Sequence, residues 1–209
     1  MLKNKVLVLA PHTDDGELGC GGTVAKFLRE GREIYYVAFS TCEESVPQGL
    51  PKDILKKELL MATNALGIPT NNIRVLDYRV RHFSESRQPI LDDMIKINRE
   101  VSPDLVFVPS PHDIHQDHST IAAEAMRAYK HSCILGYELP WNNYTFNNQA
   151  FSVLSEEDVD LKIKALSCYK SQNERAYFQK EYLTGMCRAH GIQIGCEYAE
   201  VFETIRWVL

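Results

Sequence analysis

The sequence of 209 residues has no apolar run long enough to span a bilayer, no low-complexity tract and no internal repeat. These absences exclude a helical membrane protein, a disordered tail and a solenoid. A basic excess is missing too. The 28 acidic residues outnumber the 23 basic ones, leaving a net charge of −5, which argues against a nucleic-acid surface. Six cysteines (Cys20, Cys42, Cys133, Cys168, Cys187 and Cys196) are scattered without any CxxC pair, so the expectation is reduced thiols rather than a disulfide framework. The N-terminus lacks the charged, apolar and small-residue order of a secretory signal, and the chain is expected in the cytoplasm. Its length suits one α/β domain, residues 1–209, with a sizeable core.

What is present is concentrated at two places. Residues 5–22 read KVLVLAPHTDDGELGCGG, in which the apolar run Val6–Ala10 predicts a strand buried on both faces, ended by Pro11. His12, Asp14, Asp15 and Glu17 follow at once, a density of ionisable groups that repels itself unless a cation, a proton or an arginine compensates. His12 and Asp15 are the donor types that zinc takes, and a catalytic zinc site needs three protein ligands and an open position. Residues 104–118, DLVFVPSPHDIHQDH, repeat the plan: Leu105–Val108 ends at a proline and delivers His112, Asp113, His115, Asp117 and His118. In an open α/β sheet the loops after parallel strands gather at one edge, so two loops about a hundred positions apart can build one site.

Plainer readings exist for each cluster. An Asp at the first could serve only as a helix cap, and the second could be a solvated first helical turn with Asp117 near the cap. Gly19, Gly21 and Gly22 stand where a dinucleotide-binding turn would, but its GxGxxG spacing requires glycine at Val24. The glycines are better explained by a helix that must approach the sheet closely.

The alternation of patterns predicts strands near 5–10, 33–39, 72–77, 104–108, 134–138 and 199–208. Helices are expected near 21–30, 52–66, 89–101, 118–131, 156–170 and 174–189. This order implies a Rossmann-like, mostly parallel sheet with helices on both faces. Residues 140–152, PWNNYTFNNQAFS, predict a loop or irregular hairpin. Possible sugar-binding side chains follow three of the strands: Glu44 after the second, Arg79 and Arg81 after the third, Trp141 and Asn142 after the fifth. Arginine there also suits a phosphate or carboxylate on the substrate.

The PHTDD run, with ELG after it and a later HxDH, resembles the PIG-L/LmbE-like family of zinc-dependent de-N-acetylases, whose first motif is written (A/P)HPDDE. The closing YAEVFETIRWVL is similar to the end of that family's domain. The resemblance implies an LmbE-like three-layer fold, Zn2+ held by His12, Asp15 and His118, Asp14 as general base, His115 as a protonated stabiliser of the oxyanion, and Asp117 orienting His115. His112, three residues before His115, is the alternative third ligand. The chain departs from the pattern at Thr13, where the family has proline, and at Gly16, which separates Asp15 from Glu17.

The reaction implied is removal of an acetyl group from an N-acetylated amino sugar or sugar conjugate, with a small-molecule partner and neither nucleic acid nor membrane. The wording of HDIHQDHST and ELPWNN is similar to bacterial members associated with surface polysaccharide biosynthesis, and the family's habits suggest a homo-oligomer, a trimer or hexamer. Two other functions share these residues: an O-acetyl esterase or other acyl-amide hydrolase, and a non-catalytic sugar-nucleotide binding protein. Paired N-acetyl and O-acetyl substrates separate the first, and an Asp14→Asn variant separates the second.

Overall fold

A computed structural model describes residues 4–209. Seven strands form one sheet: β1 (Lys5–Ala10), β2 (Glu33–Ala38), β3 (Ile73–Val75), β4 (Leu105–Pro109), β5 (Cys133–Tyr137), β6 (Ala150–Leu154) and β7 (Tyr198–Arg206). Their spatial order is β3-β2-β1-β4-β5-β7-β6. The first five are parallel, while β7 runs antiparallel to both β5 and β6.

Six helices cover the sheet: α1 (Asp15–Arg29), α2 (Ile54–Leu66), α3 (Arg87–Val101), α4 (Gln116–Ala128), α5 (Glu156–Leu166) and α6 (Lys180–Gln193). Period-two alternation on β1 sorts the core into two layers. Val6, Val8 and Ala10 face one way, where Val24 and Phe27 of α1, Leu59 of α2 and Leu166 of α5 meet them. Leu7 and Leu9 face the other way, onto Ile90 and Met94 of α3 and Ile121 of α4. Every residue from Val6 to Ala10 is fully buried, as the unbroken apolar run required.

The glycines of α1 allow it to lie against the sheet. A Cβ at Gly19 would stand 2.3 Å from the Tyr137 ring, and one at Gly16 would stand 2.6 Å from the Tyr36 ring. Gly19→Ala is therefore expected to destabilise the protein by about 1–3 kcal/mol through overpacking, read as a lowered urea midpoint with the slope unchanged.

Three boundaries differ from the sequence expectations. The first helix starts at Asp15 rather than near 21, because close packing outweighs the low helix propensity of its glycines. It breaks at Cys20 (φ −143°, ψ 18°). Part of 140–152 joins β6, an edge strand held by β7. The last helix begins at Lys180, and the chain before it forms two short 3-10 turns, Lys170–Gln172 and Ala176–Phe178. That segment is drawn to the sheet edge described next. Among the described residues, no helix is long and apolar enough to cross a membrane.

Candidate metal centre and active site

The strand order reverses between β1 and β4, and the loops that follow these two strands open there into one crevice. His12, Asp14 and Asp15 come from the first loop, and His115 and His118 from the second. All five line a cavity of about 340 Å³.

Three donor atoms converge at its floor. His12 Nδ1 lies 3.1 Å from Asp15 Oδ2 and 3.1 Å from His118 Nε2, and His118 Nε2 lies 3.2 Å from Asp15 Oδ2. A tetrahedral ion with ligands at about 2.0–2.1 Å separates its donors by roughly 3.3 Å. The triangle thus fits a small divalent cation without rearrangement. Without an ion, a proton shared among the two imidazoles and the carboxylate holds the same three atoms together.

The outer nitrogens of both imidazoles are fixed by buried carboxylates. His12 Nε2 lies 2.9 Å from Asp117 Oδ2, and His118 Nδ1 lies 2.7 Å from Asp113 Oδ2. Such carboxylate partners set the tautomer that turns the other nitrogen toward a metal. In the absence of an ion the same contacts favour a proton, which a metal would displace. Burial opposes a charge on His118, yet Asp15 and the bond to Asp113 carry its pKa up to about 10. Burial likewise opposes ionisation of Asp15, but His118 and His12 hold it well below the usual carboxylate range. Asp113→Asn is expected to weaken metal binding by about 10–100-fold, measured by competition with a chromophoric chelator.

Asp14 stands at the N-cap of α1 but makes no side-chain cap bond, so its carboxylate is not consumed by capping. Burial and the adjacent Asp15 charge push its pKa up to about 6. His115 is the N-cap of α4, and its Nδ1 accepts the backbone N–H of Asp117 at 3.2 Å. Burial, with His118 and His12 nearby, lowers its pKa to about 4. The sequence expectation that the Asp117 carboxylate orients His115 meets a different pairing. His115 Nδ1 lies against a backbone N–H, and the Asp117 carboxylate bonds His12 Nε2 instead. Asp117 also takes the backbone N–H groups of Arg81 (2.6 Å) and Phe83 (3.2 Å), tying the loop after β3 to the metal centre.

His112, the alternative ligand, is turned away: its Nδ1 lies 2.9 Å from the buried Glu203, and it does not line the cavity. Arg81, Trp141 and Asn142 do line it. Glu44 and Arg79 do not. They pair with each other at 2.7 Å beside a neighbouring cavity beyond Val80. Glu17, left without a role by the sequence, lies fully buried beneath the loop and bonded to Tyr36 Oη (2.5 Å) and Tyr169 Oη (3.1 Å). Gln172, Arg175 and Tyr177 complete the lining and were missed: Arg175 and Tyr177 sit in a stretch whose pattern reads as helix, and Gln172 in the short gap before it. The Tyr177 ring stacks on Trp141 with centroids 3.9 Å apart and planes within 14°.

Residues 7–129 match the sequence model of the PIG-L family, described as GlcNAc-PI de-N-acetylase. A protein of Escherichia coli (strain K12) named as an uncharacterized deacetylase is 29% identical over 170 residues, covering 79% of this chain and 90% of its own. A probable N-acetyl-alpha-D-glucosaminyl L-malate deacetylase of Bacillus subtilis (strain 168) is 27% identical, covering 83% of this chain and 85% of its own. The solved structure of the N,N'-diacetylchitobiose deacetylase of Pyrococcus horikoshii superposes with a TM-score of 0.81 at 25% identity, over 98% of this chain and 84% of that one. With the family match covering more than half of the sequence and the fold extending over nearly all of it, the chain belongs to the PIG-L family of deacetylases.

Proposed function

We propose that the protein is a zinc-dependent hydrolase that removes the acetyl group from an N-acetylated amino sugar or sugar conjugate. The observation that carries this reading is the donor triangle of His12, Asp15 and His118, with a buried carboxylate behind each imidazole. Two imidazoles and one carboxylate in tetrahedral spacing suit zinc and leave a position open toward the cavity. When bound, the ion supplies Lewis acidity at the acyl oxygen and brings the pKa of water toward neutrality.

The chain's own groups carry the proton traffic. Asp14 takes a proton from water as oxygen attacks the acyl carbon. It then returns that proton to the sugar nitrogen as the carbon–nitrogen bond breaks, leaving acetate and a free amine. A carboxylate near the middle of its titration range serves both steps. His115, neutral and carrying its hydrogen on Nε2, donates to the oxygen on which negative charge develops. Arg81, Trp141, Asn142, Gln172 and Tyr177 hold the sugar. The stacked Trp141–Tyr177 pair offers an apolar wall to the sugar's C–H face. A longer conjugate extends past Val80 toward Glu44 and Arg79.

Metal content of the purified protein and acetate release from paired N-acetyl and O-acetyl sugars test the proposal. About one zinc per chain, with acetate from the N-acetyl member of each pair, is the expected result. Release from the O-acetyl member alone makes it an esterase, and a protein that takes up no metal overturns the reading.

A further inference from the structure

Glu203 on β7 is 3% exposed, and none of the reaction steps above uses it. Burying a carboxylate is costly unless hydrogen-bond donors compensate. Among the described residues Glu203 has no lysine or arginine partner, and four polar groups from two loops meet it instead. Ser110 Oγ (2.5 Å) and His112 Nδ1 (2.9 Å) come from the loop after β4. The backbone N–H (2.9 Å) and Nδ2 (3.0 Å) of Asn147 come from the segment between β5 and β6.

The reach from the end of β4 to β7 crosses β5, and the sheet is built for it. Gly136 of β5 lies opposite Glu203. A Cβ at Gly136 would stand 3.2 Å from Ser110 Cα and 3.4 Å from Pro111 Cδ, so glycine lets the loop pass over the strand at close range. Ser110 is fixed there by its own N–H on Tyr137 O (3.0 Å), and its Oγ accepts the His112 N–H (3.0 Å).

The two loops carry different halves of the site. The first holds Asp113 and His115 and leads into His118, while the second begins with Trp141 and Asn142 on the cavity wall. Among the described residues these loops otherwise meet in one backbone bond, from Ile114 N–H to Asn142 O (3.2 Å), and one long contact of 3.5 Å from Asn142 Nδ2 to Asp113 Oδ2. Asp113 itself accepts the His115 N–H (2.8 Å) and bonds His118 Nδ1 (2.7 Å), so these groups keep their mutual geometry without Glu203. We propose that Glu203 is a positioning residue: by clamping Asn147 to Ser110 and His112 it holds the sugar-binding wall in register with the metal centre. The clamp stands apart from the deacetylase reading, on which only the use of that register rests.

Hydrogen–deuterium exchange of the zinc-loaded protein tests the clamp without substrate, and acetate release from N-acetylglucosamine tests its use. Glu203→Ala is expected to speed exchange in residues 110–115 and 141–149 while the strands keep wild-type protection. With the two halves in register roughly a tenth of the time, KM rises about 10-fold, and kcat and zinc affinity stay within about 3-fold because the groups that set them are bonded within their own loops. Glu203→Gln keeps an acceptor for the His112 and Asn147 groups and offers an N–H to Ser110 Oγ, so it should bring both readouts back toward wild type. Where Glu203→Ala fails to fold, the double variant Ser110→Ala/Asn147→Ala, which removes one side-chain bond from each loop, carries the same test. Exchange that rises evenly over the whole chain overturns the proposal, as do loosened loops with an unchanged KM, or a Glu203→Gln as impaired as Glu203→Ala. A wild type that releases no acetate removes the deacetylase reading alone, and the exchange result then decides the clamp.

Discussion

Asp14→Asn is expected to lower kcat by about 10²–10⁴-fold, the usual contribution of a positioned general base, while zinc content stays at the wild-type level. The substitution keeps the size of the side chain and removes only its capacity to accept a proton. It does not disturb a cap, because Asp14 makes no side-chain cap bond to α1. Nor does it remove a vertex of the donor triangle, which uses Asp15. The paired measurement is initial-rate acetate release beside metal analysis of the same sample. Turnover within a few-fold of wild type would assign the proton transfer elsewhere and sink the role given to Asp14. Asp15→Asn provides the contrast: it should lose metal and turnover together.

Lys162→Met is expected to destabilise the fold by about 3–5 kcal/mol, the cost of leaving one member of a buried ion pair alone. Against a total of about 5–15 kcal/mol this is a large loss, visible in chemical denaturation. The physical reason lies in the break at Cys20. A continuous α1 would satisfy the Leu18 carbonyl with the N–H of Gly22. Instead Lys162 Nζ donates to Leu18 O (2.7 Å) and to Glu200 Oε1 (2.6 Å), while Glu200 accepts the N–H groups of Gly22 (3.0 Å) and Thr23 (2.7 Å). The ion pair is spliced into the helix. Replacing both members by apolar residues, which rescues many buried pairs, should fail here because three backbone groups would be left without partners. A double variant Lys162→Met/Glu200→Met as stable as wild type would refute this account.

The splice also has a functional side. It allows the first turn of α1, carrying Asp15, to be set at an angle independent of the rest of the helix, whose Phe27 and Val24 pack on the sheet. Gly16 and Gly19 bring that turn down onto Tyr36 and Tyr137, and Glu17 anchors it from below through Tyr36 and Tyr169. Position and rigidity of the loop that carries His12 and Asp15 thus come from side chains of β2, β5 and the segment after α5.

Much of this was legible in the sequence because it is written in local pattern. The apolar runs of β1 and β4 announce strands buried on both faces, and strand–helix alternation implies a parallel sheet. Chemistry placed directly after those strands falls at the crevice by topology. The donor types and their loops follow from His12, Asp15 and His118 standing within the two motifs. Less was legible where the outcome depends on a partner distant in the chain. β6 is a strand only because β7 pairs with it, and the glycine-rich start of α1 is helical only because aromatic rings occupy the space a side chain would take.

The sequence by itself determined the fold class, the two loops that bear the chemistry and the donor types available to a cation, since hydrophobic period and residue identity are local properties of the chain. Tertiary structure alone decided which groups meet. It paired Asp117 with His12 rather than His115, turned His112 to Glu203, withdrew Glu44 and Arg79 into a mutual ion pair, and brought Arg175 and Tyr177 to the cavity wall. Side-chain partnership is fixed by the three-dimensional register of loops that are far apart in the chain, and no spacing within either loop encodes it.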